Sequence, residues 1–175
     1  LTFTTANWDT AQTITVTGAN DAIVDGDITT TLTATASNSG GYAGTETATT
    51  TLKTSDNDTA GITIAQTGST DGSGNLLTTE AGSTSTFTVV LDAKPTADVT
   101  VSITGADSTE HSLSSSSLTF TTANWDTAQT ITVTGVDDSL DDGDITTTLT
   151  ATASNSGGYA GTETATTTLK TSDND

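Results

Sequence analysis

Cysteine and methionine are absent, and there is one proline, one histidine and only three basic residues. Without cysteine, neither disulfides nor thiolate metal sites can hold the chain together. Stability must come from packing or from ions bound by oxygen. Zinc, which favours imidazole and thiolate, has almost nothing to bind. Three Lys/Arg against 22 Asp/Glu give a formal net charge of -19, so nucleic acid and anionic membrane surfaces would repel the chain. No apolar run is long enough to insert into a membrane, and no signal peptide is visible. With no methionine to start translation, the chain reads as an internal fragment. Hydrophobic residues at 31% and aromatics at 4% approach a disordered composition, so the pattern must decide whether it folds.

The pattern is a repeat. Residues 1–58 return as residues 118–175, displaced by 117 positions, with five differences: Ala19, Asn20, Ala22, Ile23 and Val24 become Val136, Asp137, Ser139, Leu140 and Asp141. The stretch 59–117 occurs once. The chain therefore divides into 1–58, the C-terminal half of one unit, and 59–175, a complete unit. The opposite division, with 1–117 complete and the tail an orphan, is the alternative. A 58-residue half leaves one sheet face uncovered and is too small to be comfortably stable alone. It is expected to be completed by another copy, within a longer array or from a neighbouring chain.

Threonine, valine and isoleucine alternate with period two, and helix signals are absent. Ile62–Ile64, Ser85–Leu91, Val99–Ile103, Leu118–Thr121, Thr130–Thr134, Ile145–Ala153 and Thr162–Leu169 read as seven strands between Gly, Asp, Asn and Ser clusters. Leu1 to Ala36 repeats that reading. Seven short strands predict an all-β, Ig-like Greek-key sandwich. Asp71-Gly-Ser-Gly-Asn75 reads as a hairpin tip, and Pro95 as part of a turn. Trp8 and Trp125, each in Ala-Asn-Trp-Asp, read as caps on the core, with a sugar-stacking platform as the alternative.

Between two strands lies Val136-Asp-Asp-Ser-Leu-Asp-Asp-Gly-Asp144, five carboxylates in nine residues. Such like charges repel, whereas a hard divalent cation taking six to eight oxygens turns the same cluster into a staple, and calcium is the natural ion. The terminal Asp173 and Asp175, their earlier copies Asp56 and Asp58, and Glu80 are further candidate ligands. Loops at one end of a sandwich lie close together, so these groups could share ions. The first loop keeps Asp21, Asp25 and Asp27 but carries Asn20 and Val24, and is expected to hold fewer or weaker ions.

Other features read blandly. His111, beside Glu110, reads as a surface residue, and no serine or cysteine stands in a nucleophile context. Asn57-Asp-Thr59 matches a glycosylation acceptor, though Asn57 is better used at the junction. Lys53, Lys94 and Lys170 read as guards of strand edges.

At this point the residues resemble Calx-beta domains, Ig-like modules of calcium-exchanger regulatory regions and of long tandem runs in bacterial surface proteins and adhesins. The resemblance rests on Leu118-Thr-Phe-Thr-Thr-Ala-Asn-Trp-Asp, Gln129-Thr-Ile-Thr-Val-Thr-Gly, the acidic loop Asp137–Asp144 and the closing Ser-Asp-Asn-Asp175. It also rests on Ala60-Gly-Ile-Thr-Ile, Thr79-Glu-Ala-Gly82 and Thr86-Phe-Thr-Val-Val-Leu91. It covers 59–175 as one module and 1–58 as the back part of another. It implies calcium ligands among Glu80, Asp137, Asp138, Asp141, Asp142, Asp144, Asp173 and Asp175.

These readings converge on a non-catalytic, calcium-stabilised extender repeat of a large extracellular or bacterial cell-surface protein. Its expected partners are neighbouring repeats or other copies of itself, with any host or surface ligand bound elsewhere in the full protein. The alternatives are a polymerising filament or surface layer completed by strand exchange between chains, and a carbohydrate- or protein-binding module using exposed tryptophans.

Overall fold

The computed structural model describes Leu1–Asp175 in full, and every regular element is a strand. In chain order these are β1 Ile28–Thr35, β2 Thr47–Thr54, β3 Ile62–Gln66, β4 Leu76–Thr79, β5 Thr84–Leu91, β6 Val99–Thr104, β7 His111–Leu113, β8 Ser117–Phe120, β9 Gln129–Gly135, β10 Ile145–Ala153, β11 Asn155–Ser156, β12 Tyr159–Ala160 and β13 Thr164–Ser172. No helix is long and apolar enough to cross a membrane.

From β3 onward the strands form two facing sheets, ordered β4-β13-β10-β6-β8 and β3-β5-β9-β7. Strands distant in sequence lie side by side, as in a Greek-key sandwich. Alternation builds the core. Along β5, Phe87, Val89 and Leu91 are buried, and along β9, Ile131 and Val133. Val99, Val101 and Ile103 on β6, Phe120 on β8, Leu149 on β10 and Leu169 on β13 meet them from the other sheet. Their β-branched and aromatic side chains suit a pleated, half-buried surface, while the intervening threonines stay at the outer face. Tyr159 buries its ring and donates its hydroxyl to the Ala93 carbonyl at 2.8 Å, tying the β11-β12 hairpin to the turn after β5.

All seven expected strands are present, with ends shifted by a few residues. Four more occur in the same stretch: β4, β7, β11 and β12 are too short for their own alternation to declare them. Asp71 makes the expected turn, accepting the Ser73 and Asn75 amides, each at 2.9 Å.

Residues 1–58 behave differently from their near-identical copy. β1 and β2 pair from Ile28↔Thr54 to Thr35↔Thr47, the register of β10 and β13 moved by one period. Leu1–Phe3 and Gln12–Gly18, counterparts of β8 and β9, form no strand. The expectation that Leu1 to Ala36 repeats the strand reading therefore holds only for β1. The reason is pairing: β8 lies against β6, and β9 between β5 and β7, and all three partners belong to 59–117. Without them, Phe3, Ile14, Val16 and Leu32 are exposed, although Phe120, Ile131, Val133 and Leu149 at the same repeat positions are 0% exposed.

Other expectations change too. Trp125 packs against the core as a cap, but Trp8 is 72% exposed. His111 is buried, not superficial, because it begins β7 opposite Gly135. Lys170 does not guard an edge: β13 lies between β4 and β10, and the ammonium pairs with Asp144 at 2.6 Å.

Candidate metal centre

One end of the sandwich gathers acid from four places in the chain. Parallel pairing of β4 with β13 sets Thr79 opposite Ser172, and the Glu80 amide then donates to the Ser172 carbonyl at 3.1 Å, so Glu80 stands beside the terminal acidic string. At the end of β9, Gly135 passes so close to β4 that an added Cβ would fall 2.0 Å from the Thr79 carbonyl oxygen. Only glycine permits that approach. The next residue, Val136, donates its amide to the Glu110 carbonyl at 2.8 Å, which brings Glu110 to the root of the acidic loop.

The carboxylates form two overlapping trios. Oxygens of Glu80, Glu110 and Asp142 lie within 4.8 Å of one another, as do those of Glu80, Asp138 and Asp175. Glu80 belongs to both. Glu80 and Glu110 are buried, and the Oε2 atom of each has no hydrogen-bond partner. Burial, then the charge of Asp173, raises the Glu80 pKa; burial, then Asp142, raises that of Glu110; burial, then Asp137, raises that of Asp175. Buried oxygens with no donor, facing other carboxylates, are costly unless a cation or proton neutralises them. An all-oxygen set around shared Glu80 fits a hard cation such as calcium.

The remaining candidates hold the loop in shape. Asp173 accepts the amides of Gly143 at 2.8 Å and Asp175 at 2.9 Å, and its pKa is lowered by those bonds. Gly143 reaches this position with φ 78°, a conformation that glycine adopts without strain. Asp144 pairs with Lys170, which lowers its pKa, and accepts the Asp173 amide at 3.3 Å. Asp137 accepts from the Asn174 side chain at 3.4 Å, and exposed Asp141 joins neither trio.

The first copy repeats this scaffold. Asp56 accepts the Gly26 amide at 2.8 Å and the Asp58 amide at 2.8 Å; Asp27 accepts the Asp56 amide at 2.9 Å and pairs with Lys53 at 2.5 Å. Asp21, Asp25, Asp56 and Asp58 line an open cavity of about 230 Å3. Counterparts of Glu80 and Glu110 do not occur within 1–58, since both lie in 59–117, the stretch that occurs once.

No protein-family model and no curated protein matches the sequence. Similar solved structures include the apo form of a Calx CBD1 domain, 16% identical, covering 65% of this chain and 98% of that one with a TM-score of 0.40. Two Caenorhabditis elegans proteins are also similar. WR4, an MSP family member, is 6% identical over 65% of this chain and 97% of its own, with a TM-score of 0.42. SSP-19, an MSP-domain protein like family member, is 12% identical over 59% and 96%, with a TM-score of 0.38. The sandwich and its acidic end stand on this chain's own geometry.

Glu110 escaped the sequence reading because it lies outside the Asp-rich strings. The one available signal was its position just ahead of an alternating His-Ser-Leu, which places it at a strand end. The raised pKa values give a test. A carboxyl whose folded pKa lies above its unfolded value destabilises the native state when ionised, and the loss is relieved as pH falls through the folded pKa. In chelator, the melting temperature is therefore expected to rise from pH 7 to pH 5. It falls only below about pH 4, where Asp144 and Asp173, with lowered values, become protonated. A calorimetric series in chelator that declines steadily from pH 7 would remove the case for uncompensated carboxylates.

Proposed function

We propose that the chain is part of a calcium-stabilised, non-catalytic extender of a large extracellular surface protein or adhesin. In this reading 59–175 is a complete unit and 1–58 the back half of another. The observation that carries the calcium reading is the pair of trios meeting at buried Glu80, with unpartnered oxygens on Glu80 and Glu110. An ion among them would tie the carboxylates of Glu80, Glu110, the acidic loop and the terminal string to one another. Such modules bind calcium at about 0.1–1 mM in extracellular settings, so rigidity would follow ambient calcium. Near-identity of the copies suits a spacer, whose length grows with each repeat and whose units contact chiefly their neighbours.

The open apolar face of 1–58 favours completion by the front half of another unit.

Calcium titration by isothermal calorimetry tests the assignment. The expected result is one class of sites, lost in Glu80→Gln, that is tighter than any uptake by the first copy. Equal affinity in both copies, unaffected by E80Q, would show that the ions do not sit at the Glu80 trios.

A further inference from the structure

The tip of the first acidic loop rests on the following unit. The Lys94 amide donates to the Ala22 carbonyl at 2.7 Å, and Ile23 forms a parallel bridge with Lys94. The Val24 carbonyl oxygen lies so near Gly158 that a Cβ there would be 2.6 Å away. Ala22, Ile23 and Val24 are partly buried. The receiving surface is preassembled: the Thr96 amide donates to the Gly157 carbonyl at 2.9 Å, so the turn after β5 and the β11-β12 hairpin present one face.

The second loop has the same tip with nothing against it. Asp138 accepts the Leu140 amide at 2.8 Å as Asp21 accepts the Ile23 amide at 2.9 Å, so the two tips turn alike. Ser139, Leu140 and Asp141 are exposed, Leu140 at 62%. Three of the five differences between the copies fall on these three positions.

We propose that the acidic-loop tip is a unit-to-unit docking site whose occupant is the Lys94 edge and Gly158 hairpin of the next copy, with Ser139–Asp141 awaiting such a copy as Ala22–Val24 has found one. Lys94 is the one lysine between Thr59 and Ser117, and it meets the first tip through its backbone amide. The five differences replace uncharged Asn20 and Val24 by Asp137 and Asp141, adding two carboxylates to the second loop. The first tip is thus built more for apolar docking and the second more for charge. This contact deepens the extender reading, on which its purpose rests, but it forms through backbone pairing and needs no ion.

Cysteine pairs in this cysteine-free chain decide the matter. In the chain of residues 1–175, in a glutathione redox buffer with chelator, I23C/K94C is expected to form an intrachain disulfide at least tenfold more than L140C/K94C. The latter pair joins a tip to an edge of its own unit that the first tip already covers. In a chain lengthened by a second copy of residues 59–175, Leu140→Cys is expected to crosslink to Lys94→Cys of the appended copy. Equal crosslinking of the first two pairs, or no crosslink in the lengthened chain while the reduced variants melt like their parents, overturns the proposal. Because chelator is present, either failure leaves the calcium reading untouched.

Discussion

Glu80→Gln is expected to raise the melting temperature of the calcium-free protein and to lower it when calcium is present. Without metal, the buried Glu80 carboxylate faces Asp138, Asp142 and Asp175 with one oxygen unpartnered, and an uncharged amide of the same shape relieves that repulsion. With metal, the same change takes a ligand from both trios. An ion held at tenfold to a hundredfold above its dissociation constant adds about 1.4–2.7 kcal/mol to the native state, on the order of 5–10 °C in a unit of this size. The wild-type protein is expected to show that rise on adding calcium to chelated samples, and E80Q to lose most of it. The crossing of the two melting series is diagnostic. A merely structural Glu80 would shift both conditions in the same direction, and parallel shifts would end the metal assignment.

Phe120→Ala and Phe3→Ala make one substitution in two nearly identical sequence surroundings, and very different costs are expected. Phe120 is 0% exposed on β8, packed with Val99 on the neighbouring strand. Its truncation should cost about 3–5 kcal/mol, a large share of the roughly 5–15 kcal/mol that holds a domain together, and lower the melting temperature by roughly 10–20 °C. Phe3 is 54% exposed and has no strand beside it, so its truncation should stay within about 0.5 kcal/mol. Denaturant melts of the two variants give the comparison. If F3A cost as much as F120A, residues 1–58 would have a packed core of their own, and the half-unit reading would fail.

The site was legible only in part, for a physical reason. Asp138, Asp142 and Asp175 lie in acidic strings that any reader would mark, but nothing local distinguishes them from Asp144 or Asp173. The distinction is made by Lys170, which takes Asp144, and by the amides of Gly143 and Asp175, which take Asp173. Glu110 and His111 lie outside the acidic strings, and their only local signal was the short His-Ser-Leu alternation. They are buried because a three-residue strand finds β9, a pairing between residues far apart in sequence.

By itself, the sequence determined the class of the fold, the positions of the long strands and the period of the repeat, because period-two alternation and turn residues act over a few neighbouring positions. It also determined that any bound metal must be taken by oxygen, since thiols are absent and imidazole nearly so. Tertiary structure alone decided which of two almost identical 58-residue segments has a core. Phe3 and Phe120 share their neighbours in sequence, yet one is exposed and the other buried, because a strand needs an edge to pair with and an apolar face needs another sheet to cover it. The same requirement decided which carboxylates converge, since Glu80, Glu110 and the acidic loop meet only where β4, β9 and β13 end and β7 begins.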